Sequence, residues 1–160
     1  MPYNCWMRTA NGSLNLDQLQ KYPGYLLARA RFQAFRNFER AVDRKLTLRP
    51  VEFSILLLLK SNGEVTQAQL AATLGVAAPN MTGILRRLQE RDLLTREPSP
   101  SDRRMQHIVL TARGSKLIGQ AVAASKSMDK AWLSRLSRGE QALLMELLRK
   151  LAEPQPAPVS

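Results

Sequence analysis

The residues of this chain best suited to chemistry lie on one face of a predicted helix over residues 78–92. Apolar side chains recur there at spacings of three and four residues, which marks a single buried stripe. The stripe consists of Met81, Ile84, Leu85 and Leu88. The opposite face carries amide, hydroxyl and guanidinium groups and a glycine: Asn80, Thr82, Gly83, Arg86, Arg87 and Arg91. Such a face suits the major groove of DNA, where amides and hydroxyls hydrogen-bond to base edges and arginines bind phosphates.

A second predicted helix precedes this one across a tight break. Thr66 and Gln69 have the spacing of a capping box, which predicts that the helix begins at Gln67. Gly75 supplies the left-handed residue that ends it. Two helices in this order are typical of a helix-turn-helix, whose second helix enters the groove. The alternative for the second helix alone is a solvated amphipathic helix.

A hairpin follows at once. Residues 94–97 and 105–110 are predicted strands, and the turn-forming run between them ends in Arg103 and Arg104. A helix-turn-helix followed by a hairpin with a cationic tip is a winged helix, and an arginine of the wing can enter the adjacent minor groove. Solubility is the alternative role for a basic hairpin tip.

With these features the chain resembles the MarR (multiple antibiotic resistance regulator) family of bacterial winged-helix repressors over about residues 25–152. The sharpest match is the wing pattern Asp-x-Arg, five residues, Leu-Thr, which here is Asp102, Arg104, Leu110 and Thr111. The helix pair QLAATLGVAAPNMTGILRRLQERDLL and the closing helix LSRGEQALLMELLRKL match the family in the same order.

The resemblance implies a mainly α fold with a small β-hairpin wing. A winged helix-turn-helix DNA-binding lobe over residues 47–111 would be flanked by dimerisation helices in residues 17–46 and 112–152. Residues 1–16 are expected to form a flexible arm and residues 153–160 a flexible tail. A two-fold dimer would place two recognition helices roughly 34–36 Å apart and require a pseudo-palindromic operator. A monomer with a long helical hairpin is the alternative.

Individual helices are also predicted from their caps and apolar periods. Residues 25–46 and 47–62 form the first two helices, and the second is nearly all buried because it is dense in leucine and isoleucine. Thr111 caps a long helix that runs to residue 136, and Ser137 with Glu140 caps the last one. The first and the last two helices carry more apolar surface than a monomer of 160 residues readily buries.

The resemblance places the DNA-binding set on the recognition helix and the wing. Its members are Asn80, Thr82, Gly83, Arg86, Arg87, Asp102, Arg103 and Arg104. The arginines would contact phosphates and the minor groove, the amide and the hydroxyl would bond base edges, and Asp102 would hold Arg104 extended through a charge-assisted pair. Gly83 departs from the family, which often has a long contacting side chain there, and Ala77 and Ala78 replace a frequent hydroxyl cap. The operator preference of relatives therefore does not transfer.

The net charge of the chain indicates a polyanionic partner, but the distribution of charge does not show where that partner binds. The chain has 24 Lys and Arg against 13 acidic residues, a net charge of +11. Such a surplus indicates nucleic acid or an acidic membrane surface. Residues 77–114 hold seven bases and four acids, whereas residues 21–45 hold seven bases and two acids. The first helix is thus more basic than the predicted DNA-binding segment.

The sequence argues against an enzyme. It has one Cys, Cys5, and one His, His107, and shows no nucleophile elbow, phosphate-binding glycine loop or metal-ligand cluster, so no cofactor or metal is expected. A single cysteine fits a reducing cytoplasm, and no apolar run reaches the ~18 residues of a membrane span. A redox-responsive regulator that acts through Cys5, and a protein that coats DNA without sequence preference, are the alternative functions.

The resemblance also implies a pocket for a small aromatic acid or phenol. The first helix brings Tyr25, Arg29, Phe32 and Arg36 along one side, and the second helix adds Phe53. Aromatic walls with a guanidinium at the edge would hold a ring and pair with its carboxylate. Alternatively, the aromatic residues belong to the core and the arginines face solvent or DNA.

Overall fold

A computed structural model describes residues 6–9, 12–98 and 106–153. Its elements, in chain order, are β1 Trp6–Thr9, β2 Gly12–Asn15, α1 Pro23–Phe38, α2 Pro50–Asn62, α3 Gln67–Leu74, α4 Ala78–Glu90, β3 Leu94–Pro98, β4 Gln106–Leu110, α5 Ala112–Leu133 and α6 Arg138–Ala152. A 3-10 turn, Leu19–Lys21, precedes α1. The fold is mainly helical with a small antiparallel hairpin after the helix-turn-helix, which confirms the predicted winged-helix class.

Two short strands lie within residues 1–16, the segment expected to form a flexible arm. Strands β1 and β2 pair antiparallel, with Trp6 opposite Asn15 and Thr9 opposite Gly12. Gly12, the first residue of β2, follows Asn11 in the sequence, and an Asn-Gly dipeptide favours hairpin turns. Strand pairing satisfies backbone groups that a free arm leaves to water. Leu16, which follows β2, is buried. Cys5 lies outside the described residues.

Helix α1 continues beyond its α-helical part. A π-helical segment, Glu39–Asp43, and a final turn, Arg44–Leu46, extend it to the predicted end at residue 46. Thr47 then takes a left-handed conformation with φ 51° and ends the helix. The following residue, Leu48, is fully buried, so this turn directs the chain into the core.

Helix α2 begins three residues later than the predicted start at residue 47. Pro50 occupies its first turn, and the residue before a proline is biased to extended backbone, as Arg49 is here. The backbone N–H of Arg49 donates to Oε2 of Glu52 at 3.0 Å, which caps the helix. At its other end Gly63 is the C-cap, with φ 71°.

Nearly all of the buried core lies in the winged-helix lobe and the helices packed on it. The largest fully buried side chains are Leu48, Ile55, Leu56, Leu59, Leu70, Met81, Leu85, Leu88, Leu93, Leu94, Ile108 and Ile118. Each buried Leu or Ile contributes about 1.5–3 kcal/mol relative to exposure. The predicted stripe on α4 is confirmed, because all four of its apolar side chains are buried against this cluster.

The wing is fixed to the lobe at its base. Strands β3 and β4 pair from Leu94 opposite Leu110 to Pro98 opposite Gln106. The backbone N–H of Ile108 also donates to the carbonyl of Val65 at 2.8 Å, which attaches β4 to the residue before α3. This arrangement holds the strands of the wing beside the helix pair.

The junction between the lobe and α5 is tightly packed. The hydroxyl of Thr111 donates to the carbonyl of Asp92 at 2.7 Å and accepts from the N–H of Gly114 at 3.0 Å, which confirms Thr111 as the cap. A Cβ on Gly114 would lie 1.9 Å from the carbonyl oxygen of Leu93. Only glycine allows this approach, so the start of α5 lies directly on the backbone that follows α4.

The terminal helix α6 is well capped, but none of its side chains is buried. Ser137 accepts from the backbone N–H of Glu140, and the carboxylate of Glu140 accepts from the N–H of Ser137 at 2.8 Å, as the predicted capping box requires. The backbone N–H of Ser137, and after it the Ser137 hydroxyl, hydrogen-bond to the carboxylate of Glu140 and hold its pKa below the ordinary value. Leu147 is 46% exposed and Leu151 is 70% exposed.

None of the described helices has the length and apolar character needed to cross a membrane. Within the same residues, no three His, Cys, Asp or Glu side chains gather as metal ligands would.

Candidate nucleic-acid interface

The helix pair α3–α4 positions the candidate interface. Thr66 accepts from the N–H of Gln69 at 3.2 Å, which confirms the capping box and the start of α3 at Gln67. Gly75 has φ 61° and ends α3 in the left-handed conformation expected. Helix α4 follows with Pro79 in its first turn, and Ala77 offers no side-chain cap. The N-terminal amides of α4 therefore keep the positive end of the helix dipole available to a phosphate.

The outward face of α4 presents most of the predicted helix residues. Asn80, Thr82, Arg86 and Arg87 are exposed, and Gly83 is half-buried. The side chain of Arg86 is 76% exposed, and its Nε lies 3.6 Å from Oε1 of Glu90 one turn later. Such surface pairs contribute only about 0.3–0.5 kcal/mol, so this pair does not prevent Arg86 from contacting a phosphate.

Two arginines of α4 are held by a buried carboxylate. Glu52 is 4% exposed, and its Oε2 lies 3.5 Å from Nη1 of Arg91 while its Oε1 lies 4.0 Å from Nε of Arg87. Arg91 also donates to the carbonyl of Leu46 at 3.5 Å. Arg91 thus fastens the end of α4 to α2 and to the end of the first helix. Arg87 stays half exposed, so it both contributes to this cluster and faces the candidate interface.

Thr82 belongs to a chain of hydrogen bonds that the sequence did not reveal. The Nη2 of Arg96 donates to Oε1 of Gln67 at 3.4 Å, and Nε2 of Gln67 donates to Oγ1 of Thr82 at 2.7 Å. The hydroxyl of Thr82 lies 3.1 Å from the carbonyl of Ala78, to which it donates. These bonds connect the wing strand β3, the start of α3 and the recognition helix. Gln67 and Thr82 are fifteen residues apart, and no local pattern predicts such a contact.

Gly83 has no packing reason to be a glycine. A Cβ built on it would have Nη1 of Arg87 at 3.9 Å as its nearest neighbour, which is an ordinary contact with a flexible side chain. Glycine inside a helix is less favourable than alanine by about 1 kcal/mol. Gly83 thus leaves α4 without a side chain at this position, although packing within the protein would allow one.

The tip of the wing, with Asp102, Arg103 and Arg104, lies outside the described residues. At the base, Nδ1 of His107 lies 2.8 Å from Oε2 of Glu64. This contact places the side chain of His107 in β4 beside the segment that precedes α3.

The predicted effector residues are only partly brought together. A groove of about 800 Å³ at the junction of α1 and α2 is lined by Phe32 and Arg36, together with Phe35. The guanidinium of Arg36 lies 5.8 Å from the centroid of the Phe32 ring. Phe53 does not line the groove. Its ring packs edge-on against Phe38, with centroids 5.4 Å apart.

The other two predicted effector residues lie elsewhere on α1. Nη1 of Arg29 donates to the hydroxyl of Tyr25 at 3.3 Å. Arg29 lines a second groove, of about 720 Å³, between α1 and α5, together with Trp132 and Arg135. Arg29 therefore lines a different groove from Phe32 and Arg36, although spacings of three and four residues place all four predicted residues on one side of α1.

Comparisons with known proteins agree with this architecture. A family model described as MarR family matches residues 48–105. The HTH-type transcriptional repressor NicR of Pseudomonas putida is 30% identical over 131 residues, which cover 81% of this chain and 82% of that protein. The transcriptional repressor CouR bound to a 23-mer DNA duplex superposes with a TM-score of 0.82 and 32% identity, covering 88% of this chain and 99% of that chain. CouR from Rhodococcus jostii RHA1 bound to p-coumaroyl-CoA superposes with a TM-score of 0.77 and 27% identity, covering 87% and 97%.

Proposed function

Since the chain belongs to the MarR family of transcriptional regulators, we propose that it binds double-stranded DNA sequence-specifically and represses transcription by covering a promoter. The observation that carries this proposal is the outward face of α4, where Asn80, Thr82 and Arg86 are exposed beside the wing. A similar chain, CouR, binds a DNA duplex, and NicR is named a repressor. We further place the protein in the bacterial cytoplasm, where such a regulator meets DNA.

The functional unit we propose is a homodimer that binds a pseudo-palindromic operator. Its support is the apolar surface that the described part of the chain leaves exposed on α1 and α6, including Phe35, Leu147 and Leu151. Two-fold symmetry would place the two α4 helices roughly 34–36 Å apart, on one side of the duplex.

A footprint on the DNA that flanks the protein's own gene tests this function. We expect protection of one pseudo-palindromic site and a preference of typically ~10³-fold or more over random competitor DNA. Arg86→Ala should weaken binding and lower the salt dependence by about one unit, because one phosphate contact is lost. Arg138→Ala, which removes the same charge from α6, should leave binding unchanged.

The same experiment distinguishes the alternatives. Equal competition by random DNA would indicate a protein that coats DNA without sequence preference. If Arg86→Ala and Arg138→Ala weaken binding equally, the contact comes from overall charge and α4 is not the reading element.

We also propose that a small aromatic or phenolic acid releases the protein from DNA by binding in the groove beside Phe32 and Arg36. The support is the pairing of an exposed aromatic wall with a guanidinium, and CouR provides a similar protein that binds an aromatic acyl thioester. The ligand must bind the DNA-incompetent spacing of the two α4 helices better than the competent one. A hundredfold loss of operator affinity requires about 2.7 kcal/mol of such differential binding.

A titration of hydroxycinnamate-like and salicylate-like acids against the operator complex tests the groove. Arg36→Ala should abolish release, whereas Arg29→Ala should retain it, because Arg29 lines the groove between α1 and α5. Release that survives Arg36→Ala and fails in Arg29→Ala would move the site to that second groove.

A further inference from the structure

The hydrogen-bond chain that ends at Thr82 has a fixed direction. Arginine carries only donors, so the amide oxygen of Gln67 must face Arg96 and its NH2 group must face Thr82. The hydroxyl oxygen of Thr82 is therefore an acceptor towards Gln67. Its single proton goes to the carbonyl of Ala78, one turn earlier in α4. The donor and the acceptor of each hydrogen bond between β3 and α4 are therefore fixed.

This direction decides what Thr82 offers to DNA. With its proton committed to Ala78, the hydroxyl has no donor for the major-groove acceptors of guanine, N7 and O6, or for O4 of thymine. What remains for contact on this exposed residue is the γ-methyl and one lone pair, which can accept only from the amino group of adenine or cytosine. The matching apolar group in the major groove is the 5-methyl of thymine.

The neighbours of Thr82 leave room for such a contact. Ala78, one turn before it, carries only a methyl group and is exposed, and Gly83, the next residue, carries no side chain. Towards the start of α4, these small residues leave space for a base beside Thr82, and the long side chain one turn after it, Arg86, is exposed and flexible.

We propose that Thr82 is a specificity-determining residue whose γ-methyl contacts the 5-methyl of one thymine in each half-site. In this proposal the hydrogen bonds of Gln67 and Arg96 keep the Thr82 hydroxyl from donating to a base. This inference rests on the proposed function, because it specifies how α4 reads its operator. In this scheme Gln67 and Arg96 are positioning residues, since they act through Thr82.

The test uses the full-length protein and the footprinted operator, with each thymine replaced in turn by deoxyuridine. This exchange removes the 5-methyl and leaves the hydrogen-bonding groups of the base unchanged. We expect one position in each half-site at which the exchange weakens binding by roughly fourfold, the effect of about one buried methyl group. Exchange in both half-sites together should multiply the two effects.

Two variants identify the protein partner of that methyl group. Thr82→Ser keeps the hydroxyl and removes the methyl, so it should bind the thymine operator about as weakly as the native protein binds the uracil operator and lose nothing further on uracil. Thr82→Val keeps a methyl and removes the hydroxyl, so it should retain the sensitivity to uracil. If Thr82 donated a hydrogen bond instead, Thr82→Ser would bind as the native protein does.

The outcomes separate this inference from the function on which it rests. Specific operator binding that no single deoxyuridine weakens overturns the inference and leaves the DNA-binding function intact. A uracil effect that persists in full in Thr82→Ser assigns the methyl contact to another residue and overturns it as well. Absence of any preferred DNA site overturns both. Thermal melts of both variants confirm that α4 remains folded.

Discussion

At the scale of single residues, the arginines of the recognition helix have different roles. Arg86 has only a weak surface pair with Glu90, whereas Arg91 is fastened to the buried carboxylate of Glu52 and Arg87 lies near the same group. A charge that is already paired inside the protein gains less from a phosphate than one that is solvated. Arg86 should therefore contribute most of the phosphate binding on this helix, and Arg91 should contribute mainly stability.

Gly83 provides a second test at this scale. Gly83→Ala should raise the free energy of unfolding by about 1 kcal/mol, because alanine is the better helix former and the added Cβ meets only a flexible side chain. Operator affinity should fall, by about tenfold, because the methyl would stand between α4 and the bases. Thermal melts and an operator titration measure the two effects.

Gly119 in α5 is a matched control, since a Cβ there would also meet only a side-chain end, at 3.9 Å. Gly119→Ala should raise stability without changing operator affinity. Unchanged binding by Gly83→Ala would show that the DNA does not approach this part of α4.

The wing arginine is a third residue-scale prediction, and it rests on the family pattern of Asp102 and Arg104. Arg104→Ala should weaken operator binding strongly, because a minor-groove contact is lost, while the melting temperature and the oligomeric state stay unchanged. Arg138→Ala serves as the charge control. An Arg104→Ala protein with native operator affinity would remove the wing from the interface.

At the scale of elements, Glu52 connects α2 to the recognition helix. It caps α2 through the N–H of Arg49 and pairs with Arg91 and Arg87 across the gap to α4. Glu52→Ala should lower the free energy of unfolding by about 2 kcal/mol, since a buried cap and the partner of two arginines are lost while those arginines keep some contact with water.

Chemical denaturation of Glu52→Ala and Glu90→Ala measures this difference. Glu90→Ala removes an exposed partner of Arg86 and should change stability by less than about 0.5 kcal/mol. Equal effects of the two substitutions would show that the buried cluster does not hold α4 in place.

The sequence predicted these elements where the signal was local. The caps at Thr66, Thr111 and Ser137 were correct because a cap is formed by residues within three positions of each other. The start of α2 was placed too early because the restriction imposed by Pro50 on Arg49 was not applied.

The candidate site was harder to predict because it depends on distant parts of the chain. Periodicity correctly identified Asn80, Thr82 and Arg86 as facing outwards, but it also placed Arg91 there, and Arg91 is instead paired with the buried carboxylate of Glu52. The residues that pair with these side chains or position them lie in other elements: Gln67 in α3, Arg96 in β3 and Glu52 in α2. A helical period carries no information about such contacts, and it also grouped Arg29 with Phe32 although the two residues line different grooves.

At the scale of the whole molecule, the chain has a well-packed lobe and two ends whose apolar surface its own described residues do not cover. Leu147→Glu combined with Leu151→Glu should give a monomeric or unfolded protein without operator binding, because charges cannot be buried in an apolar interface. Light scattering at micromolar concentration, together with the operator titration, checks this result.

Arg138→Glu is the control, since it places the same charge on α6 outside the apolar stripe. It should leave both the dimer and the binding intact. A folded native protein that scatters as a monomer at that concentration would contradict the dimer.

The close contact between Gly114 and Leu93 has a mechanical consequence. With a glycine against a carbonyl at the start of α5, and Thr111 bonded to Asp92 just before it, the joint between the lobe and the long helix is closely packed. We expect each α5 to act as a lever arm that carries its lobe as one rigid body. A ligand that changes the angle between two such arms would move the α4 helices apart without deforming either lobe.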